Sequence, residues 1–194
     1  NGTAGDVDVV THEAGHALVA WLLPGADPVH KVTIIPRGRA LGLTMQLPEE
    51  ERSAHDRTWL TNTLCTLLGG RVAEEIVFQQ MTTGAGNDID RVSDIARRMV
   101  CEWGMSEVIG PLTFRAPQPL GGQPGQILSE ATATVIDAEV KKLVQSAADT
   151  ARQLLSDNRP ALEALTSALL ERETLNRDDI RQIVDRARPQ TTAA

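Results

Sequence analysis

Apolar positions recur along most of the chain at three- and four-residue steps, with one interruption of strand character near the start. The stretch from Asp6 to Leu23 predicts a helix: Ala17, Leu18, Val19, Ala20, Leu22 and Leu23 are helix or core formers, and Pro24-Gly25 ends it. Val29 to Ile35 is rich in Val, Ile and Thr, and Leu41 to Leu47 follows a turn-like Pro36-Arg37-Gly38-Arg39. The two predict a β-hairpin or two adjacent strands. From Asp56 onward the pattern is helical almost to the end. Trp59 to Leu68 is apolar-periodic, Gly69-Gly70 is a point where the helix thins or kinks, and Arg71 to Phe78 continues it. Thr82 to Asn87 has the composition of a loop. Asp88 opens an amphipathic helix with Ile89, Val92, Ala96, Met99 and Trp103 along one face, stopped by Gly104. Gly110 to Gly125 is a long loop. Ser129 to Asp157 forms a long helix with Ile136, Val140, Leu143, Ala147, Ala151 and Leu154 as its stripe. Arg159-Pro160 starts another helix, through about Glu173, and Asn176 to Arg188 makes the last. The expected fold is mainly α with a small β-sheet.

Composition narrows the picture. The chain has 194 residues, 41% hydrophobic and 23% charged, enough to bury a core without disulfide staples. Aromatics are only 3%, so the core is aliphatic, and ring platforms for single-stranded nucleic acid are nearly excluded. A net charge of −7 argues against a nucleic-acid partner. No run of 18 apolar residues exists, and the N-terminus lacks a secretory signal pattern, so these residues are expected to be soluble. Cys65 and Cys101 are too far apart for a CxxC pair or a zinc ribbon and read as buried thiols of a reducing compartment.

The chemistry concentrates in His12-Glu13-Ala14-Gly15-His16, an H-E-x-x-H sequence within the first helical run. Histidines at i and i+4 share one helix face, with Cβ atoms about 5–6 Å apart. Two imidazole nitrogens then converge on one ion at about 2.0–2.1 Å. Glu13 lies about 100° further round the helix, too far to join them as a ligand but able to reach a metal-bound water. The motif arises by chance in roughly one shuffled sequence in two hundred, so it needs support. Gly15 supplies some, because glycine inside a helix costs about 0.5–1 kcal/mol relative to alanine and calls for an offset, of which close approach of another backbone or a ligand is one candidate. A hydrolytic zinc takes a third protein ligand. The metzincin extension is ruled out, since Val19 and Leu22 occupy its glycine and histidine positions. Glu74, Glu75 and Asp88 all qualify by residue type, and Asp88 has a competing role as a helix N-cap. Spacing does not rank them. His30 reads as a packed or solvent-facing strand residue, His55 as surface, and Arg37 and Arg39 as a solvated turn.

These residues occur within a larger set of blocks. His12 to Ala17, Asp27 to Gly42, Gly69 to Ile76, Thr82 to Ile89, Trp103 to Glu107 and Gly110 to Leu112 resemble, in order and spacing, the peptidase domain of FtsH-family membrane-anchored AAA+ zinc proteases. The resemblance runs from about Thr11 to Ile183. It implies a helical zincin-type peptidase domain with H-E-x-x-H on a helix, and a six-fold ring. It further implies Zn2+ on His12, His16 and Asp88, with Glu13 as general base. Glu74 becomes a candidate for supporting the ligands, and Gly42, Leu43 and Thr44 for contacting the site or an extended substrate. Residues 1–10 read as a lead-in, native or vector-derived, 11–188 as the peptidase domain and 189–194 as a loose tail. Within the domain, catalytic helices and sheet occupy about 11–110, and a C-terminal helical part about 127–188.

The same resemblance implies unfolded or translocated protein substrates, a homo-hexamer, and an ATPase module with a membrane anchor in a full-length protein. No G-x-x-x-x-G-K-[ST] phosphate loop occurs in these residues, so ATP belongs to that other module. The implied setting is the bacterial inner membrane, with the peptidase domain cytoplasmic. Two departures from the family stand out. Gln79 follows Phe78 where the family often has glycine, and Arg115 to Gln126 lacks the family's usual Phe-Leu-Gly-Arg-like stretch. A competing reading is an inactive ring-forming assembly module with a structural or absent zinc. Glu13 speaks against it, because a structural site has no use for that carboxylate.

Overall fold

The computed structural model describes residues 4–36, 42–47, 54–114 and 128–187. Its first helix, α1 (Ala4–Leu22), starts two residues earlier than the sequence pattern suggests, so most of the expected lead-in is helical. Gly25, at φ 76°, turns the chain out of it. Two antiparallel strands follow, β1 (Val29–Thr33) and β2 (Leu43–Gln46), with Val32 opposite Thr44. The turn residues Arg37 and Arg39 lie outside the described residues.

The second helix, α2 (Arg57–Phe78), is capped by Asp56, whose carboxylate accepts the Trp59 N–H at 2.7 Å. It passes through Gly69-Gly70 without a break. A 3-10 turn (Thr83–Ala85) then leads directly into α3 (Gly86–Cys101). The segment expected to be all loop is thus largely wound, and Asp88 lies in the first turn of α3 rather than at its cap. Trp103 departs from expectation as well. The helix ends at Cys101, Gly104 turns the chain at φ 61°, and Trp103 lies 40% exposed under the Arg98 guanidinium, 4.9 Å from the ring centroid.

Ser129 caps α4 (Glu130–Asp157), and Pro160 stands in the first turn of α5 (Arg159–Arg172). An unexpected strand, β3 (Thr174–Asn176), pairs antiparallel with β1 and gives a three-stranded sheet ordered β2-β1-β3. The last helix is α6 (Arg177–Ala187). Its entry is a reciprocal pair: Asn176 Oδ1 accepts the Asp179 N–H, and Asp179 Oδ2 accepts the Asn176 N–H, both at 3.0 Å.

One aliphatic core joins these elements. Leu18 of α1, Leu64 of α2, Met99 of α3, Leu155 of α4, Leu165 of α5, Ile180 of α6 and Val32 and Leu175 of the sheet are all fully buried within it. A smaller cluster of Val100, Cys101 and Ile136 ties α3 to α4. Both cysteines are buried and free, as expected. His30 and His55 are exposed, the latter stacked on Trp59 at 3.7 Å. Among the described residues, no helix is long and apolar enough to cross a membrane.

Candidate metal centre

His12 and His16 stand one turn apart on α1, with their Nε2 atoms 2.9 Å from each other. Both Nε2 atoms are 3.1 Å from Oδ2 of Asp88, which α3 brings in from the far side. The other ring nitrogens set the tautomers. His16 Nδ1 donates to the Thr66 carbonyl at 2.7 Å. A carbonyl only accepts, so the proton sits on Nδ1 and Nε2 offers a lone pair. His12 Nδ1 donates to Glu74 Oε1 at 2.6 Å with the same consequence. Two nitrogen lone pairs and a carboxylate oxygen therefore face one another at contact distance. That arrangement is repulsive until a cation occupies it. Two imidazole nitrogens, each ring braced by an outer hydrogen bond, and a carboxylate oxygen so spaced suit zinc with bonds of about 2.0–2.1 Å.

The electrostatics agree. Burial alone would lower the pKa of His12, but hydrogen bonds to Asp88 and Glu74, and their charges, outweigh it and push it up to about 9. Burial would raise Asp88, yet its contacts with the His12 and His16 rings, His12 carrying the shared proton, hold it far below the usual carboxylate range. Glu74, only 2% exposed, is likewise held low against burial by His12 and by the Thr82 hydroxyl and N–H. In the absence of a metal, a proton takes the cation's place.

Three glycines make room for this centre. A Cβ on Gly15 would come 2.4 Å from the Gly69 carbonyl oxygen, so α1 and α2 cross backbone to backbone there. That contact offsets the helix cost of Gly15. A Cβ on Gly70 would meet the His12 ring at 2.6 Å, and one on Gly42 would meet the Glu13 side chain at 2.6 Å. The Gly69-Gly70 pair thus permits close packing instead of bending the helix.

Glu13 is nearly buried, and its Oε2 accepts the Thr44 hydroxyl at 2.9 Å. It borders a cleft of about 700 Å³ that His12, His16, Asp88, Gly42, Leu43 and Thr44 also line. Asp8, Asp90 and Arg91 stand around it, so acidic groups predominate. The structure therefore gathers His12, Glu13, His16, Glu74, Asp88, Gly42, Leu43 and Thr44 in one place. Glu75 is not among them, because its carboxylate pairs with Arg71 and Arg152 instead. The capping role for Asp88 is not realised either: α3 follows directly from the 3-10 turn, and Thr82 caps that turn. Two contributors escaped the sequence reading. Thr66 acts through its backbone carbonyl, which no residue type signals. Thr82 stood in a recognised block without a role.

Comparison with known proteins follows the same line. The family model described as Peptidase family M41 matches residues 7–183. An ATP-dependent zinc metalloprotease FtsH of Acidobacterium capsulatum is 53% identical over 179 residues, which is 90% of this chain and 28% of that protein. FtsH 4 of Sorangium cellulosum is 56% identical over 180 residues, 89% of this chain and 28% of that one. FtsH of Magnetococcus marinus is 53% identical over 174 residues, 87% and 26% respectively. The chain spans just over a quarter of the length of these curated relatives. A helix-borne H-E-x-x-H, a cleft over it and a family match along nearly the whole chain converge, and the chain belongs to peptidase family M41.

Proposed function

We propose that this chain is the zinc endopeptidase part of a longer ATP-dependent protease, with the metal held by His12, His16 and Asp88. The observation that carries the reading is the convergence of three lone-pair donors beside the Glu13 carboxylate in an open acidic cleft. Bound there, zinc supplies Lewis-acid polarisation of a scissile carbonyl and acidifies a water. The rest of the chemistry belongs to the chain. Glu13 is held by the Thr44 hydroxyl with its carboxylate facing the cleft. It takes the proton of the attacking water as the carbon–oxygen bond forms, and delivers it to the leaving amine as the carbon–nitrogen bond breaks. Glu74 and the Thr66 carbonyl keep both imidazoles in the tautomer that presents Nε2.

Substrate binding follows from the sheet. β2 is its outer strand on the cleft side, and Leu43 and Thr44 line the cleft. An extended peptide laid along that edge gains main-chain hydrogen bonds with little sequence demand. This suits unfolded or translocated proteins as substrates. The relatives' names and lengths support an ATPase module elsewhere in the full protein, and the family resemblance supports a homo-hexamer and a membrane anchor. The same resemblance supports the bacterial inner membrane, with the peptidase part on the cytoplasmic side, and the relatives' sources are bacterial.

The test joins metal analysis to cleavage of an unfolded protein such as casein. The wild-type chain should carry one zinc and cleave, and Glu13→Gln should keep the zinc and lose cleavage. Undiminished cleavage by Glu13→Gln would overturn the role of Glu13. A wild-type chain with neither zinc nor cleavage would favour the inactive assembly module.

A further inference from the structure

The Thr82 hydroxyl has two bonds that lead to opposite sides of the metal centre. It donates to Glu74 Oε2 at 2.8 Å, and the Thr82 backbone N–H reaches the same oxygen at 3.3 Å. The other carboxylate oxygen of Glu74 holds His12 Nδ1 at 2.6 Å. The same hydroxyl accepts the Gly84 N–H at 3.2 Å and so caps the 3-10 turn. That turn runs without interruption into α3, which carries Asp88 in its first turn. One side chain thus braces the histidine delivered by α1 and the aspartate delivered by α3.

We propose that Thr82 is a positioning residue that couples the two ligand-bearing helices, so that its hydroxyl governs how firmly the metal is retained. A valine has the same shape and neither bond. Without the hydroxyl, Glu74 Oε2 keeps only the long N–H contact, its carboxylate gains freedom to rotate, and the His12 ring turns with it. At the same time the 3-10 turn loses its cap, and Asp88 loses its register against the histidines. Both effects loosen the same three-donor face. Thr82 is exposed, so the valine leaves no cavity and overpacks nothing. Serine keeps both bonds.

This rests on the reading that His12, His16 and Asp88 hold zinc, and the experiment separates the two. Zinc-loaded wild type, Thr82→Val, Thr82→Ser and Thr83→Val, the last a neighbouring-hydroxyl control, are mixed with excess chromogenic chelator, and zinc release is timed. Cobalt-loaded samples give visible spectra that report ligand geometry, and melting curves check folding. Removing the outer hydrogen-bond partner of a ligand typically weakens metal binding by about 10–100-fold. Thr82 stands one bond further out, so the expectation is release roughly tenfold faster for Thr82→Val, with an altered cobalt spectrum. Thr82→Ser and Thr83→Val should match wild type. Wild-type release and spectrum in Thr82→Val would overturn the proposal, whatever its melting temperature. So would faster release in Thr82→Ser equal to that of Thr82→Val. A wild-type chain that binds no zinc would remove the metal reading itself, and the proposal with it.

Discussion

Asp and Asn cap helices about equally well, and that equivalence separates the two roles open to Asp88. If its carboxylate only served the first turn of α3, Asp88→Asn would be neutral. At 3.1 Å from both His12 and His16 Nε2, the carboxylate instead contributes the one formal negative charge among the three donors. Asp88→Asn should therefore lose zinc by at least the roughly 100-fold that marks the upper end of outer-partner effects, and its metal-free melting temperature should fall as well near neutral pH, because the charge that faces His12 is gone. Metal content after dialysis against buffered zinc checks this. Unchanged content would remove Asp88 from the ligand set and make Glu74 the favoured third ligand. The residue scale also shows what a sequence can carry. His12, Glu13 and His16 were legible because five consecutive residues of one helix determine their geometry. The third donor was not, since Asp88 meets them only through the packing of α3 against α2, and from residue type alone it competed with Glu74 and Glu75. Only the family resemblance selected it.

Elements meet here at backbone distance, and two substitutions exploit that. Gly15→Ala would place a methyl group 2.4 Å from the Gly69 carbonyl oxygen. Backbone does not yield as a side-chain tip does, so α1 and α2 must separate, at about 1–3 kcal/mol of overpacking cost. Urea unfolding should show that loss. A gain larger than a few tenths of a kcal/mol would mean that helix propensity outweighs the crossing. At the other end of α2, Gln79 adopts the left-handed conformation, φ 55° and ψ 29°, while its N–H closes the helix on the Glu75 carbonyl at 3.0 Å. A residue with a Cβ pays about 1–2 kcal/mol to sit there, which accounts for the glycine that the resembled family often has at this position. Gln79→Gly should raise stability by about 1 kcal/mol in the same assay, because part of the relief returns as chain entropy. The long helices were legible from their stripes. β3 was not, because three residues between two helices carry no alternation to read; its pairing to β1 is decided by α5 and α6 packing around it. Trp103 continued the stripe of α3 by count, but the helix ends two residues earlier, at Cys101, and the ring lies against Arg98 instead.

At the scale of the molecule, a metal held as proposed would link segments 72 and 76 residues apart, so zinc binding and folding would be one equilibrium. Zinc at 100 times its dissociation constant adds about 2.7 kcal/mol to the folded state. For a chain of this size each kcal/mol moves the melting temperature by about 2–4 °C, so saturation should raise it by about 5–10 °C. The pH dependence has a definite sign. Without metal, His12 titrates near 9 in the fold against an ordinary value of 6.5. Its proton stabilises the metal-free fold fully below 6.5, and that contribution disappears as pH rises through 9, a loss on the order of 3 kcal/mol at most. Asp88 and Glu74 are shifted down, so their contribution is present above the ordinary carboxylate range and is lost as pH falls below it. The metal-free chain should therefore be most stable between these limits and should melt progressively lower from pH 6.5 to 9. Zinc competes with the His12 proton, so the zinc-induced rise in melting temperature should widen over that same interval. Thermal melts in chelator and in buffered zinc, taken across the interval, read both trends together. A zinc effect that shrinks as pH rises would place the metal somewhere other than on His12.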